Sequence, residues 1–151
     1  NIIPNFIINL KTNKTTNMKK KISIILASSF LVLMLAFSPK GTDQKPWPVP
    51  DADKNKVNPL KGDAASIATG KALYNTHCKS CHGTKGKGDG TKAAQLDTEC
   101  GDFSSAAFQA QTDGSLFYKT KVGRKDMPSY KTKIPDANDM WAVVNYMRTF
   151  K

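Results

Sequence analysis

Apolar residues recur at helical spacing in separate stretches of the chain, and capping residues mark where these stretches begin and end. The first stretch spans residues 63–80, and Asp63 is placed to cap it. The second spans residues 113–121, between a capping Thr112 and a terminating Gly123. Both are long enough to form helices of two turns or more.

A third stretch spans residues 136–150 and follows Pro135, a residue suited to the start of a helix. Asp136 and Asp139 place negative charge in its first turn, where the helix dipole favours it. A short helical turn is predicted around residues 92–96, and nothing after the first helix alternates apolar and polar residues with a period of two. The pattern predicts an all-α domain of three main helices and short helical turns.

The amino-terminal segment differs from this domain in charge. Residues 1–41 hold six of the 23 basic residues and none of the 12 acidic ones, so much of the formal charge of +11 lies there. From Met18 a basic head precedes an uncharged apolar run, which is the form of a secretory signal. We predict a signal peptide or amino-terminal membrane anchor at 18–40 and a non-native upstream segment at 1–17.

Four prolines lie among polar residues between this segment and the domain. Residues 41–62 are therefore predicted to be an extended, semi-rigid linker. The alternative is an ordered strap that lies on the domain, with Trp47 and Val49 docked on its surface. The domain itself is placed at residues 63–151.

The end of the first predicted helix carries three reactive side chains in a diagnostic order. Cys78, Cys81 and His82 form Cys-Xaa-Xaa-Cys-His, the spacing of covalent c-type haem attachment. Two thiols one helical turn apart can each add to a vinyl group of one porphyrin, and the adjacent imidazole can ligate the iron. The pattern predicts Cys78 and Cys81 as covalent haem attachment sites and His82 as an axial iron ligand.

Other chemistries use only part of this motif. A structural zinc site needs four nitrogen or sulfur ligands, and Cys100 would be the sole fourth ligand because His77 adjoins Cys78. A redox dithiol needs a preceding strand, and a phosphate loop needs a terminal Lys-Ser or Lys-Thr. The chain offers neither context, so haem attachment is the interpretation that uses the whole motif.

Methionine is the remaining candidate for the second axial ligand, because chain geometry holds the other histidine on the same side of the ring. Two of the five methionines lie in the predicted export segment, and Met140 and Met147 occupy apolar positions of the last helix. Met127 instead lies in a polar loop at 123–130, where Pro128 stiffens the backbone. We predict Met127 as the second protein ligand to the iron.

Residues 63–151 as a whole resemble the class I monohaem cytochromes c of bacteria, with His/Met ligation of the iron. The resemblance implies one covalently attached haem c and a small all-α fold wrapped around it. It also implies that the first and last helices cross near the haem. The stretches that carry it are Gly70-Lys-Ala-Leu-Tyr74, Cys78-Lys-Ser-Cys-His82, Gly86-Lys-Gly-Asp-Gly90, Thr112-Asp-Gly-Ser-Leu-Phe117, Gly123-Arg-Lys-Asp-Met-Pro128 and Trp141-Ala-Val-Val-Asn-Tyr-Met-Arg148.

The resemblance also implies specific contacts at this helix crossing. Gly70 and Tyr74 of the first helix are expected to meet Val143 and Tyr146 of the last. Glycine would let the two backbones approach closely. The ring is expected to be buried among Leu116, Phe117, Tyr130 and Trp141.

Filling both axial positions leaves no open site for a substrate, so the predicted function is electron transfer and not catalysis. The iron would cycle between ferric and ferrous states in a carrier of a respiratory chain, in the periplasm or on the outer face of the cytoplasmic membrane. One alternative is a permanently docked cytochrome subunit of a dehydrogenase or terminal oxidase complex. The other is an enzyme or sensor with a five-coordinate haem, which would require that Met127 does not bind.

The expected partners are redox proteins with acidic docking surfaces, and the charge pattern does not indicate nucleic-acid binding. Two basic groups flank the predicted site and favour such partners. A third cysteine, Cys100, is not needed by the haem, and we interpret it as a passenger or, less favourably, as an intermolecular disulfide. The basic groups are Lys79, Lys85 and Lys87 beside the attachment motif, and Arg124, Lys125, Lys131 and Lys133 around Met127.

Overall fold

Helices make up nearly all of the regular secondary structure among residues 46–151, which are the residues that the computed structural model describes. The predicted upstream segment 1–17 and the predicted signal or anchor 18–40 lie outside the described residues. Residues 47–151 form one compact unit. Its helices are α1 (Asp51–Lys54), α2 (Ala64–His77), α3 (Lys79–His82), α4 (Ala106–Gln109), α5 (Asp113–Val122) and α6 (Ala137–Met147), with a 3-10 turn at Ala93–Gln95.

The caps predicted from the sequence form in the structure. The Asp63 carboxylate accepts a hydrogen bond from the backbone N–H of Ala65 at 2.9 Å, and Thr112 accepts one from Ser115 at 3.2 Å. Each satisfies one of the backbone donors left free at a helix start. The all-α prediction is confirmed, and α2 and α5 begin where their caps place them.

Three boundaries differ from the prediction, one of them because α6 ends at Met147 and not at residue 150. The other two have local reasons. The first helix ends at His77, and Cys78, with φ of −118°, separates it from the short α3. Asp136 lies before α6 and not in it, because its carboxylate caps the helix by accepting from the backbone N–H groups of Asn138 and Asp139.

The two longest helices, α2 and α6, pack closely against each other around a glycine. A Cβ atom at Gly70 would clash with the backbone carbonyl of Ala142 and lie 3.0 Å from the Cβ of Tyr146. Tyr74 is fully buried, and its ring centroid lies 5.2 Å from that of Tyr146. The expected close approach is therefore present, with the backbone of Ala142 as the partner of Gly70.

The segment before α2 is an ordered strap from Trp47 to Gly62. It contains α1 and packs in the same compact unit as the helices that follow. Asn58 is its buried anchor, and its amide nitrogen donates to Asn145 of α6 at 2.8 Å. Of the two alternatives for residues 41–62, the structure has the ordered strap from Trp47 onward.

A polar network carries the contact between this strap and the helices. The Asn145 side chain donates to the backbone carbonyl of Leu60 at 2.5 Å and to the Ser66 hydroxyl at 2.8 Å. Asp113 accepts from Asn58 at 3.2 Å and forms a 2.7 Å ion pair with Arg148. Because these polar groups satisfy one another away from water, the network fixes the strap on the domain.

Among residues 46–151, no helix is long and apolar enough to cross a membrane.

Candidate haem-binding site

The predicted attachment motif forms a single helical turn that is held against the domain. The backbone N–H groups of Cys81 and His82 both donate to the carbonyl of Cys78, at 3.1 and 2.9 Å. Cys78 is buried in the hydrophobic core, whereas Cys81 is partly exposed, and both thiols are free. The structure thus presents the two sulfurs on one turn, as the spacing predicts.

The glycine-rich loop after the motif folds back on the motif's backbone. The N–H groups of Gly88 and Gly90 donate to the carbonyls of His82 and Cys81, at 2.9 and 3.1 Å. A Cβ at Gly90 would lie 2.6 Å from the carbonyl carbon of Cys81, so no other residue fits there. The loop therefore secures the segment that carries both cysteines and His82.

The His82 imidazole lies among aromatic rings with one nitrogen unused. Its centroid is 4.5 Å from that of Phe103, which in turn stacks on Phe108 at 4.4 Å. Its Nδ1 atom is buried and has no hydrogen-bond partner in the described part of the chain. Burial lowers the pKa of His82, and the nearby backbone of Cys100 offsets part of this lowering. The neutral imidazole, the form that can ligate a metal, is favoured.

Met127 lies in a tight turn that is attached to the end of α5. Arg124 and Met127 exchange two backbone hydrogen bonds, at 2.8 and 3.0 Å, and form an isolated antiparallel bridge. Gly123 has φ of 70°, and a Cβ there would lie 2.5 Å from the carbonyl oxygen of Met127. Met127 is partly buried and packs against the hydrophobic core. The turn, and not a helix, fixes where this thioether lies.

Two hydrogen bonds connect the methionine turn to the attachment side of the domain. The Asp126 carboxylate accepts from the backbone N–H of Thr98 at 2.9 Å. The Tyr130 hydroxyl donates to the carbonyl of His77 at 2.8 Å, next to Cys78. The structure therefore brings the Met127 segment and the attachment motif together, although 45 residues separate Met127 from His82 in the sequence.

The electrostatic interaction of Tyr130 with the two thiols also shows that the methionine turn and the attachment motif are close together. Burial raises the pKa of Tyr130 to about 12, and the thiols of Cys78 and Cys81 add to this shift. Burial also raises the pKa of the Cys78 thiol to about 12, with Cys81 as a second cause. Tyr130 and Cys78 are therefore uncharged at neutral pH.

The aromatic and aliphatic residues expected around the ring lie in one cluster. Phe117 packs on Trp141 with ring centroids 4.2 Å apart. The four expected residues are all nearly completely buried. They belong to the same hydrophobic core that contains Cys78 and contacts Met127: Leu116, Phe117, Tyr130 and Trp141.

Some residues of the two predicted basic groups interact with other side chains of the domain. Lys87 is paired with Asp102 at 3.0 Å and also donates to the Ser104 hydroxyl. The guanidinium of Arg124 lies 4.9 Å from the ring centroid of Trp47 in the strap, a cation–π geometry. Lys133 is exposed, and its Nζ atom lies 5.6 Å from the ring centroid of Tyr130. The remaining members of both groups are exposed lysines: Lys79, Lys85, Lys125 and Lys131.

Cys100 lies close to the motif but does not complete a metal cluster with it. Burial raises the pKa of its thiol, and Cys81 and Asp126 contribute to the shift. Among residues 46–151 no group of three or more His, Cys, Asp or Glu side chains is arranged to hold a metal ion. The zinc alternative therefore lacks its ligand set.

The residues present fit a covalently bound haem. Cys78 and Cys81 supply two free thiols on one turn, and His82 supplies a buried, unpartnered ring nitrogen. The turn that carries Met127, the prospective second ligand, is joined to the residue before Cys78 by the hydrogen bond from Tyr130 to His77. This donor set suits iron held by a histidine and a thioether.

Sequence reasoning missed the contacts that hold the site together. The bonds from Tyr130 to His77 and from Thr98 to Asp126 join positions 53 and 28 residues apart. Docking of Trp47 belongs to the strap alternative, but the sequence did not indicate Arg124 as its partner.

Comparison with known proteins agrees with this geometry. A sequence model of the family described as Cytochrome c matches residues 67–151. Among solved structures, the chain is similar to one from the Kuenenia stuttgartiensis reducing HAO-like protein complex Kustc0457/Kustc0458, with a TM-score of 0.57 and 23% identity. The match covers 72% of this chain and 52% of that chain, about half its length, and shows a shared fold. The search of curated proteins found no match.

Proposed function

The chain belongs to the cytochrome c family, whose members carry covalently bound haem c and transfer electrons, and we propose that it is a mono-haem one-electron carrier. In this proposal Cys78 and Cys81 hold the haem through thioether bonds, and His82 and Met127 are the axial ligands of its iron. The bound haem would supply reversible exchange of one electron between ferric and ferrous iron.

The proposal depends mainly on the free thiols and the unpartnered imidazole nitrogen of the attachment turn. Both thiols are free, and the partly buried imidazole beside them has a buried nitrogen, Nδ1, without a partner. A buried polar atom without a partner costs about 1–3 kcal/mol, so its presence indicates a ligand that the protein itself does not supply. Iron bound through this Nδ1 atom would satisfy it.

The surrounding side chains exclude water from the site, and the two proposed iron ligands affect the reduction potential. Leu116, Phe117 and Trp141 leave little solvent around the site, which disfavours extra positive charge there. A neutral thioether opposite histidine raises the reduction potential relative to two nitrogen ligands. With both axial positions filled by protein, no position remains for a substrate, so the chain is proposed to carry electrons without catalysing a reaction of its own.

The proposed location is outside the cytoplasm, in the periplasm or at the outer face of the membrane, because of the signal-like segment at 18–40. The proposed partners are redox proteins with acidic surfaces. Exposed lysines beside the site support this, namely Lys79, Lys85, Lys125 and Lys131, whereas Lys87, Arg124 and Lys133 make contacts within the chain. Attraction of this kind is screened by salt within about 8–10 Å, so electron transfer to such a partner should slow as salt is added.

Visible spectroscopy of the purified holoprotein with Met127→Ala beside it tests the ligand assignment. We expect covalent haem in both proteins, retained after acid-acetone extraction, and loss of the sulfur-to-iron charge-transfer band in the variant alone. Met147→Leu is the matched control, because Met147 is buried in the core and its replacement leaves the ligand in place.

Three outcomes would contradict the proposal. Extraction of the haem would exclude covalent attachment at Cys78 and Cys81. Persistence of the band in Met127→Ala would exclude Met127 as a ligand. Binding of carbon monoxide by the reduced wild-type protein at neutral pH would indicate an open coordination site, and so an enzyme or a sensor.

A further inference from the structure

Tyr130 connects the methionine turn to the attachment motif through a partly buried hydrogen bond. It lies three residues after Met127, and only 8% of its surface is exposed. Its hydroxyl donates to the carbonyl oxygen of His77 at 2.8 Å. His77 is the last residue of α2 and immediately precedes Cys78.

This bond supplies a partner that the helix end itself lacks. The last carbonyl groups of a helix accept no hydrogen bond within the helix. The carbonyl of His77 is one of these, because His77 is the last residue of α2. The next backbone donors of the motif, Cys81 and His82, bond to Cys78 instead. The Tyr130 hydroxyl therefore satisfies a carbonyl at the very point where the attachment motif begins.

The other hydrogen bonds of the methionine turn join it to parts of the domain outside the attachment motif. Ser129 donates to the carbonyl of Lys121 in α5 at 2.7 Å, and Asp126 accepts from Thr98 in the loop after the 3-10 turn. The bond from Tyr130 joins the segment 124–130 directly to the segment 77–82. It can therefore couple the position of one predicted ligand segment to that of the other.

We propose that Tyr130 is a positioning residue whose hydroxyl holds the Met127 turn closed on the attachment motif. The bond raises the fraction of molecules in which Met127 is in place as ligand. The inference rests on the proposed function, since it concerns the retention of Met127 at the iron. Tyr130 itself touches neither ligand through a hydrogen bond and acts through the backbone of His77.

Imidazole titration of the oxidised holoprotein measures this fraction. Imidazole competes for the position that Met127 vacates, so its apparent affinity rises with the population of molecules in which the turn is open. Tyr130→Phe removes the hydroxyl and keeps the ring, including its edge contact with the His77 ring at 6.1 Å. A net hydrogen bond corresponds to about 2- to 12-fold in an equilibrium constant, so we expect imidazole to bind tighter by a factor in this range.

The control variant is Tyr118→Phe. Tyr118 is on α5, the helix that leads into the methionine turn, is half-buried, and makes no hydrogen bond through its hydroxyl within residues 46–151. Its imidazole affinity should equal that of the wild type. Thermal unfolding of all variants, recorded in parallel without imidazole, reports any general loss of stability.

Met127→Ala separates failure of this inference from failure of the ligand assignment. If wild type and Met127→Ala bind imidazole equally well, Met127 is not the ligand and the proposed function is wrong at that residue. If Met127→Ala binds far tighter but Tyr130→Phe binds like the wild type, Met127 is the ligand and the positioning role is overturned. A lower unfolding temperature of Tyr130→Phe with unchanged imidazole affinity also overturns it, because it shows a structural role alone.

Discussion

The crossing of α2 and α6 and the methionine turn are both built around a glycine, but they are stabilised in different ways. At the crossing, Gly70 lets two helices touch, and buried apolar and aromatic side chains extend the contact in both directions. At the turn, Gly123 lets the chain bend back, and the next seven residues are held by a few separate hydrogen bonds. Side-chain packing defines the first region, whereas hydrogen bonds hold the backbone of the second and only Met127 and Tyr130 join it to the core.

The difference teaches where the molecule is rigid and where its proposed ligand can be released. A packed helix contact loses many small interactions at once when it opens, so it opens only with the whole fold. A turn held by single hydrogen bonds can open locally, at a cost of about 1 kcal/mol for each bond. Changes at the two glycines should therefore affect two different measurements.

Gly70→Ala should have the largest effect on stability. The added methyl group meets backbone, which cannot move aside without separating α2 from α6. We expect a loss of at least about 3 kcal/mol, and so a fall of roughly 12 °C or more in the unfolding temperature of a domain this size. Circular dichroism of the holoprotein measures it, with the exposed Lys71→Ala as control. An unchanged unfolding temperature would show that the helices do not cross at this glycine.

Asn145→Ala should have the next largest effect. It leaves the Asn58 amide, the Leu60 carbonyl and the Ser66 hydroxyl without their partner. An unsatisfied buried group costs about 1–3 kcal/mol, and we expect about 2 kcal/mol in total stability. Urea unfolding measures the loss, and Asn138→Ala, an exposed asparagine on the same helix, is the control. Equal stability of the two variants would mean that the strap contributes nothing to the fold.

Gly123→Ala should have the smallest effect on global stability, and its effect should be confined to the turn that carries Met127. A positive φ costs a residue with a side chain about 1–2 kcal/mol, and the new Cβ would also press on the Met127 carbonyl. We expect weakening of the sulfur-to-iron band with a change of unfolding temperature much smaller than that of Gly70→Ala. Gly62→Ala is the control, since Gly62 has φ of 82° and no atom near its Cβ position. A band as strong as in Gly62→Ala would contradict the role given to this turn.

Sequence alone predicted what depends on local chemistry. The caps Asp63 and Thr112 and the stop at Gly123 each involve neighbours within four residues, so the pattern contains all of the information needed. The helix crossing followed from the family resemblance, and Tyr146 meets both Gly70 and Tyr74 as expected. The resemblance did not indicate Ala142, whose backbone carbonyl is the nearest contact of Gly70. The order of Cys78, Cys81 and His82 predicted the attachment turn for the same local reason.

What the sequence did not predict depends on contacts between distant residues. The helices α1 and α4 have four residues each, too short for a periodic signal, and exist because the domain supports them. Asn58 and Asn145 are 87 residues apart, and neither position is distinguished by its neighbours. For the site, the ligand assignments stay predictions, and the bond that joins Tyr130 to His77 appears only once the chain is folded.

The strap has a practical consequence for producing the domain by itself. The family match begins at residue 67, so a recombinant fragment designed from it would omit Asn58 and the carbonyls that cover Gly114. Such a fragment would expose the amide of Asn145 and the start of α5 to water, and it would unfold more readily than the native domain. A fragment that preserves the fold has to begin no later than Trp47.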